Sequence, residues 1–379
     1  MKHLESLDGI RAIAIAMVMC YHFGYFAPGW IGVQLFFTLS GYLITGILLR
    51  NKNRPLGVYL GTFFWHRALR ILPLLWFFLI IAAIVYVATG VPTTFRSDWP
   101  WLLGFLGNFA RLRSTDLAPP LVHIWSLAVE QQFYLVWPLA VYFLPTTLFR
   151  RFIVCLLLFT PLVRLAVFQA TVLLGHDAEV AGKVVYVLPF TQLDAFATGA
   201  AIAVFSLEQL PNSGRRFLAA LIATGALGAA VLAAENYSGQ GAFVGSLGYA
   251  MYLLQSHGYV WGYSMLNLLA MLAMICALRR AAWLRFLESA TLTWVGRISF
   301  GMYVYHLPLL LAGEAAMAKL VPHPDALMRA AFFAIWMCAV LLVSTLSYRW
   351  IEAPFLAMKN RGWIAEALRN VPGSSEPSR

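Results

Sequence analysis

Charge is what this chain has least of. Only 11% of its 379 residues are Asp, Glu, Lys or Arg, against about a quarter in an ordinary soluble domain. With 61% hydrophobic residues and a mean hydropathy of +0.74, the composition excludes a soluble globular protein. It predicts an all-α, polytopic membrane helix bundle. Long polar stretches are also missing, so one integrated membrane domain over residues 1–357 is expected, with 358–379 as a cytoplasmic tail whose end is a disordered Pro/Ser-rich stretch. Cysteine is scarce: Cys20, Cys155, Cys276 and Cys338 lie in apolar runs at no paired spacing, which argues against disulfides and cysteine metal sites. No metal is expected. The net charge of +11 sits in links between apolar runs, so the expected partner is the lipid bilayer and not nucleic acid. The first run carries Asp8 and Arg11 and lacks a small-residue cleavage site, so it reads as a retained span, not a signal peptide.

Ten apolar segments have the length of a spanning helix, at about 7–26, 31–49, 71–89, 121–144, 152–174, 184–205, 217–234, 262–278, 298–317 and 329–350. The run 99–109 is too short to span and reads as interfacial; 242–259 permits a re-entrant segment. Basic links at 50–70, 150–151, 215–216 and 279–297 alternate with neutral or mildly acidic ones, which places both termini and the basic links in the cytoplasm by the positive-inside rule. Glycines such as Gly41, Gly46 and Gly199 read as points of close helix packing.

Within these runs, ionisable residues are functional-site candidates. Arg11 and His22 are eleven residues apart, three helical turns plus roughly 20°, so they share a helix face about 16 Å apart along the axis. His22 suits a general base or proton shuttle, or a histidine bonded across helices. His123, Glu130 and Tyr134 fall within roughly 40° of one another on a helix, as catalytic support or as an interhelical clamp. Arg67 and Arg70, one turn apart where the third span opens, form either an anion site aided by the helix dipole or topology-setting charge. Ser299, Tyr303 and His306 make another polar stripe, and Tyr348 with Glu352 an i,i+4 pair where the last span ends.

Several strings, in order, resemble the acyltransferase 3 family of bacterial envelope O-acyltransferases. They are Leu7 to Arg11 leading to His22, Gly32 to Ile44, His66-Arg67 to Pro73, Trp125-Ser126-Leu-Ala-Val-Glu130 to Pro138, Ser299 to Pro308, and Tyr348 to Phe355. The resemblance covers about residues 4–357. It implies a multi-pass protein of the bacterial cytoplasmic membrane that moves a short acyl group, most often acetyl, from cytoplasmic acyl-CoA to a hydroxyl of an envelope carbohydrate or exported glycoside. By the same resemblance Arg11 and His22 match the paired functional positions, Arg67 and Arg70 the donor-binding motif, and Glu130 the acidic position. Gln34 stands where the family usually has an acid, and Gln131 where a second acid often follows Glu130. The expected mechanism is direct transfer with His22 as general base, since no serine or cysteine adjoins it in sequence. Envelope-biosynthesis partners or a homo-oligomer fit this reading. A transporter or flippase using the buried polar residues as a path, and a noncatalytic scaffold, are the alternatives.

Overall fold

The computed structural model describes residues 5–90, 95–113, 116–239, 243–321 and 323–360, and every regular element among them is helical. In chain order the helices are α1 Glu5–His22, α2 Ile31–Asn51, α3 Leu56–Thr89, α4 Phe95–Leu103, α5 Gly107–Ala110, α6 Trp125–Phe143 and α7 Thr146–Leu173. There follow α8 Ala178–Val187, α9 Leu193–Val204, α10 Ser213–Tyr237, α11 Gly258–Leu278, α12 Ala290–Leu320, α13 Ala326–Ser347 and α14 Ala353–Ala357. Six stretches are long and apolar enough to cross a membrane: Ala27–Asn51, Leu56–Thr89, Thr146–Leu173, Ser213–Tyr237, Gln255–Leu278 and Ala326–Ala357. The other four expected runs map to α1, α6, α8 with α9, and α12, which are shorter or carry polar side chains within them.

That division has a structural meaning. In the most apolar windows of α3, α7, α10 and α13, between 11% (α13) and 28% (α3) of residues are buried, and Ile84, Leu158, Ile222 and Ile335 face outward. Apolar side chains left exposed in this way suit hydrocarbon contact. By contrast α9 is buried almost throughout, and α1 buries ten residues, Asp8 among them. Four of the apolar helices thus present much of their surface outward, whereas the α2 and α11 windows are 56% buried alongside α1 and α9, and the chain is a multi-pass membrane protein.

Three boundaries differ from the sequence-based expectation. Helix α3 begins at Leu56 and not near 71, so Arg67 and Arg70 sit well inside it and the helix-dipole argument for an anion site there does not hold. The run 184–205 is broken: α8 ends at Val187, Pro189 opens a 3₁₀ turn to Thr191, and α9 starts at Leu193. Proline has no N–H to continue a helix and holds the preceding residue extended, as Leu188 is. Residues 244–257 form short 3₁₀ turns with left-handed Leu247, Tyr252, Leu253, Ser256 and His257.

Close approaches fix the inner helices. A Cβ on Gly199 would lie 1.8 Å from the Thr38 carbonyl oxygen, and one on Gly41 would lie 2.0 Å from that of Phe196, so α2 and α9 pack backbone to backbone. Gly296 plays the same part between α12 and α1, with Asp8 O 2.0 Å from its ideal Cβ. Gly46 has nothing nearer than 3.5 Å and is not a packing position. The break before α9 exposes backbone that Arg164 of α7 repairs. Its guanidinium donates to Thr191 O at 3.0 Å and Val260 O at 3.0 Å, and pairs bidentately with Asp194 at 2.9 and 3.0 Å. Ser264 Oγ donates to the same carboxylate at 2.6 Å. Both ion-pair side chains are fully buried, and each is satisfied.

Breaking a buried pair from one side leaves an uncompensated charge, at a cost of about 3–5 kcal/mol. Asp194→Ala is therefore expected to lower the thermal midpoint of purified protein in detergent sharply. Gly199→Ala should lower it by forcing α2 and α9 apart, and Gly46→Ala should leave it unchanged. Equal midpoints for the two glycine variants would contradict the packing scheme.

Candidate active site

The interior holds two adjoining cavities. The larger, about 250 Å³, is lined by Arg11 of α1, Ser40 of α2, Arg67 and Arg70 of α3, and Glu130 and Tyr134 of α6, among others. Its floor is ordered by the Glu130 carboxylate, which accepts from Ser40 Oγ and, at 2.5 Å, from the Tyr134 hydroxyl. The Arg67 guanidinium lies over the Tyr134 ring, 5.7 Å from its centroid, and its Nε has no hydrogen-bond partner among the described residues. Arg11 is held by Asp8 one turn earlier on α1. Just beyond α14, burial and the nearby charges of Arg70 and Arg67 push the Lys359 ammonium below its ordinary value, and Lys359 O meets His66 Nε2 at 3.2 Å. This end of the bundle is strongly cationic.

The smaller cavity, about 40 Å³, is lined by His22, His123, Tyr21, Trp30, Arg111 and Tyr303, among others. Val33 and Tyr303 belong to the walls of both cavities. At the shared wall the Tyr303 hydroxyl donates to His123 O at 2.7 Å and lies 2.5 Å from Ser126 Oγ, which therefore donates to it.

Three histidines meet here. The ring centroids of His22 and His306 are 4.9 Å apart, and those of His306 and His123 are 5.1 Å apart. Hydrogen-bond chemistry assigns their tautomers. His306 Nδ1 faces Tyr303 O at 2.7 Å, and a carbonyl only accepts, so Nδ1 carries the proton. In neutral His306, Nε2 is then an acceptor. Its partner at 3.1 Å is His22 Nδ1, which also faces Val18 O at 3.2 Å, so the His22 proton sits on Nδ1. The Nε2 of His22 is left as an unprotonated base. His123 Nε2 is likewise bonded to Val304 O at 3.1 Å. Trp336 Nε1 donates to His306 O at 3.0 Å and anchors α12 at this point. Among the described residues no His, Cys, Asp or Glu group forms a metal-ligand cluster.

The structure thus divides the residues singled out in the sequence. Arg11, Arg67, Arg70, Glu130, Tyr134, Ser126, Ser299 and Tyr303 share the larger cavity, and His22, His123 and Tyr303 the smaller, with His306 behind His22. His123 does not continue the Glu130 and Tyr134 stripe, because it lies in a 3₁₀ segment, Pro119–Ile124, ahead of α6. Gln34 does not meet the His22 ring; it donates to Gln192 Oε1 of the break before α9 at 2.9 Å. Tyr348 and Glu352 are not an α-helical i,i+4 pair either. They bound a π-helical turn, Tyr348 packs in the apolar cluster around Trp336, and the buried Glu352 Oε1 has no hydrogen-bond partner among the described residues. Ser40 and Arg111 escaped the sequence reading. Nothing marks Ser40 locally, whereas Arg111 lies in a link assigned to the side where arginine is disfavoured.

A polar interior of this kind, shielded by apolar helices, defines a multi-pass membrane protein with an internal reaction or binding chamber. The chain belongs to the acyltransferase 3 family, whose sequence profile, described as an acyltransferase domain, matches residues 4–349. It is 27% identical over 386 residues to the peptidoglycan O-acetyltransferase OatA of Listeria monocytogenes, covering 96% of this chain and 57% of that protein. It is 25% identical to the O-acetyltransferase OatA of Staphylococcus aureus, over 97% of this chain and 59% of the relative. A putative peptidoglycan O-acetyltransferase of Bacillus subtilis, YrhL, is 34% identical over 152 residues, 36% of this chain and 24% of that protein. The chain therefore spans less than three-fifths of the length of these relatives. No solved structure matches it.

Tyr303→Phe removes the hydroxyl that satisfies His123 O and accepts from Ser126. A loss of about 1–3 kcal/mol is expected, the cost of leaving buried polar groups unpaired. It should register as a lower thermal midpoint in detergent, and an unshifted midpoint would contradict the hydrogen-bond scheme.

Proposed function

We propose that the protein is a membrane O-acetyltransferase that moves an acetyl group from acyl-CoA at the cytoplasmic face to a sugar hydroxyl of the cell envelope, with His22 as general base. The observation that carries this reading is the tautomer of His22: Nδ1–H committed to His306 and Val18, Nε2 basic, in a cavity that shares a wall with an arginine-lined one. Arg67, Arg70 and Arg11 hold the anionic phosphate end of the donor, as forked, permanently charged guanidiniums do. The pantetheine arm then reaches along the bundle toward the Val33 and Tyr303 wall, covering roughly the 16 Å that separates Arg11 from His22 along α1. There His22 Nε2 takes the proton of the attacking hydroxyl, and His306 holds the ring in the productive tautomer. Glu130 keeps Ser40 and Tyr134 in place and balances the cationic cavity. The Ser126 and Tyr303 hydroxyls at the shared wall are engaged in hydrogen bonds, which favours direct transfer over an acyl-enzyme.

The relatives' names support peptidoglycan as the acceptor, and the bacterial cytoplasmic membrane is the bilayer that this reading requires. Family membership favours catalysis over the transporter and scaffold readings. Envelope-biosynthesis proteins or a second copy of the chain are compatible partners.

The test is acetyl transfer by purified, monodisperse protein from acetyl-CoA to soluble peptidoglycan fragments. His22→Ala should reduce turnover by about 10²–10⁴-fold, the usual worth of a general base. Arg67→Ala and Arg70→Ala should raise the donor KM while leaving kcat largely intact, as expected when ground-state binding is removed. Full turnover by folded His22→Ala protein would overturn the base assignment.

A further inference from the structure

Proton removal is half of what acyl transfer requires; the other half is a place for the negative charge that develops on the thioester oxygen. Donors facing the His22 cavity can be sorted by whether they are already engaged. Tyr21 donates to Met251 Sδ at 2.7 Å, Trp30 Nε1 to Tyr249 O at 3.1 Å, Tyr303 to His123 O at 2.7 Å, and His123 Nε2 to Val304 O at 3.1 Å. Arg111 differs. It lines the same cavity, its side chain is only 11% exposed, and it is the charged donor there. Its neighbouring carboxylate, Asp116, lies 3.4 Å from Nε and 3.5 Å from Nη2, long for charge-assisted bonds, and Nε has no properly directed hydrogen bond among the described residues. Asp116 makes its short contacts with Lys183 at 2.6 Å and the Leu117 N–H at 2.7 Å instead. The Tyr252 hydroxyl also meets Arg111. A guanidinium with five donors is thus anchored on one side and only partly used.

We infer that Arg111 is a catalytic residue that holds the oxyanion of the tetrahedral intermediate, with Asp116 as its positioning residue. The inference rests on the proposed acyl transfer. The acceptor hydroxyl oxygen forms a bond to the thioester carbon as its proton passes to His22 Nε2. The carbonyl electron pair moves onto oxygen, where Arg111 N–H groups meet it. Collapse restores the C=O bond and breaks the C–S bond, and the departing thiolate takes the proton from His22. A cation fixed beside developing charge in a water-poor cavity needs no reorganisation during the step, which is why such donors act on kcat. The placement also accounts for arginine in a link on the His22 side of the bundle, away from the Arg67 and Arg70 cluster.

The test compares wild-type, His22→Ala, Arg111→Gln, Arg111→Lys and Asp116→Asn proteins, each full length and checked for monodispersity, using acetyl-CoA and soluble peptidoglycan fragments. Arg111→Gln should lose about 10²–10³ in kcat, the cost of one oxyanion donor, with the donor KM almost unchanged. Arg111→Lys, which keeps the charge, should recover part of that loss and guards against a folding defect in the Gln variant. Asp116→Asn should stay within about tenfold of wild type, because the guanidinium survives. Near-normal kcat in Arg111→Gln together with an inactive His22→Ala overturns this inference alone. Equal losses in Arg111→Gln and Asp116→Asn also overturn it, since they reduce the pair to a structural contact. Turnover by His22→Ala, or none by the wild type, overturns the proposed function and this inference with it.

Discussion

Between α1 and α12 a hydrogen bond joins two imidazoles, His22 Nδ1 and His306 Nε2, and the chemistry of the site depends on it. In water such a contact would be weak and either tautomer would serve. Inside a bundle each ring N–H must find an acceptor among the groups packed around it. Tyr303 O accepts the N–H of His306 Nδ1 and thereby dictates where the next proton must sit, and the sequence of donors ends on the basic Nε2 of His22. At the far end of the same helix pair, α1 and α12 approach backbone to backbone because Gly296 presents no side chain to Asp8. Tautomer and basicity form one causal chain.

The second constraint is separation of charge. Arg11, Arg67 and Arg70 gather around the larger cavity, with Lys359 close by, while the smaller cavity is walled by aromatic rings, histidines and a single arginine. Tyr303 and Val33 stand at the junction. A long donor with an anionic head and a neutral reactive tail fits that polarity, since the head stays where guanidiniums solvate it and the thioester enters the drier end. The Arg164 and Asp194 pair lies outside both cavities. Its part is to close the broken backbone before α9, so that α9 can pack on α2 without stranded carbonyls.

Much of this was legible in the residues themselves. Apolar runs of spanning length located the long helices, and Arg11, His22, Arg67, Arg70 and Glu130 stood out because ionisable groups are costly there. Gly41 and Gly199 were readable as packing positions, but Gly46, identical in type, was not distinguishable from them without its neighbours. Periodicity misled where backbone geometry changed. The stripe from His123 to Tyr134 assumed one continuous helix, and the Tyr348 and Glu352 pair assumed α-helical pitch across a π turn. Arg164 is the one charged residue of the run 152–174 and Asp194 that of the run 184–205, so opposite charges in successive runs were the available sign of a buried pair. The histidine trio had no such sign, because residues 22, 123 and 306 meet only through tertiary packing.

If the two cavities form one path, donor phosphates sit at the arginines and the reacting carbonyl at the Tyr303 wall. A cryo-EM reconstruction of the full chain with a thioether analogue of acetyl-CoA measures this directly. The account predicts the nucleotide end against Arg67 and Arg70, and the thioether carbon beside Val33 and Tyr303 within hydrogen-bond reach of a hydroxyl held by His22. An analogue seated with its acyl end away from His22, or bound outside the larger cavity, would contradict it.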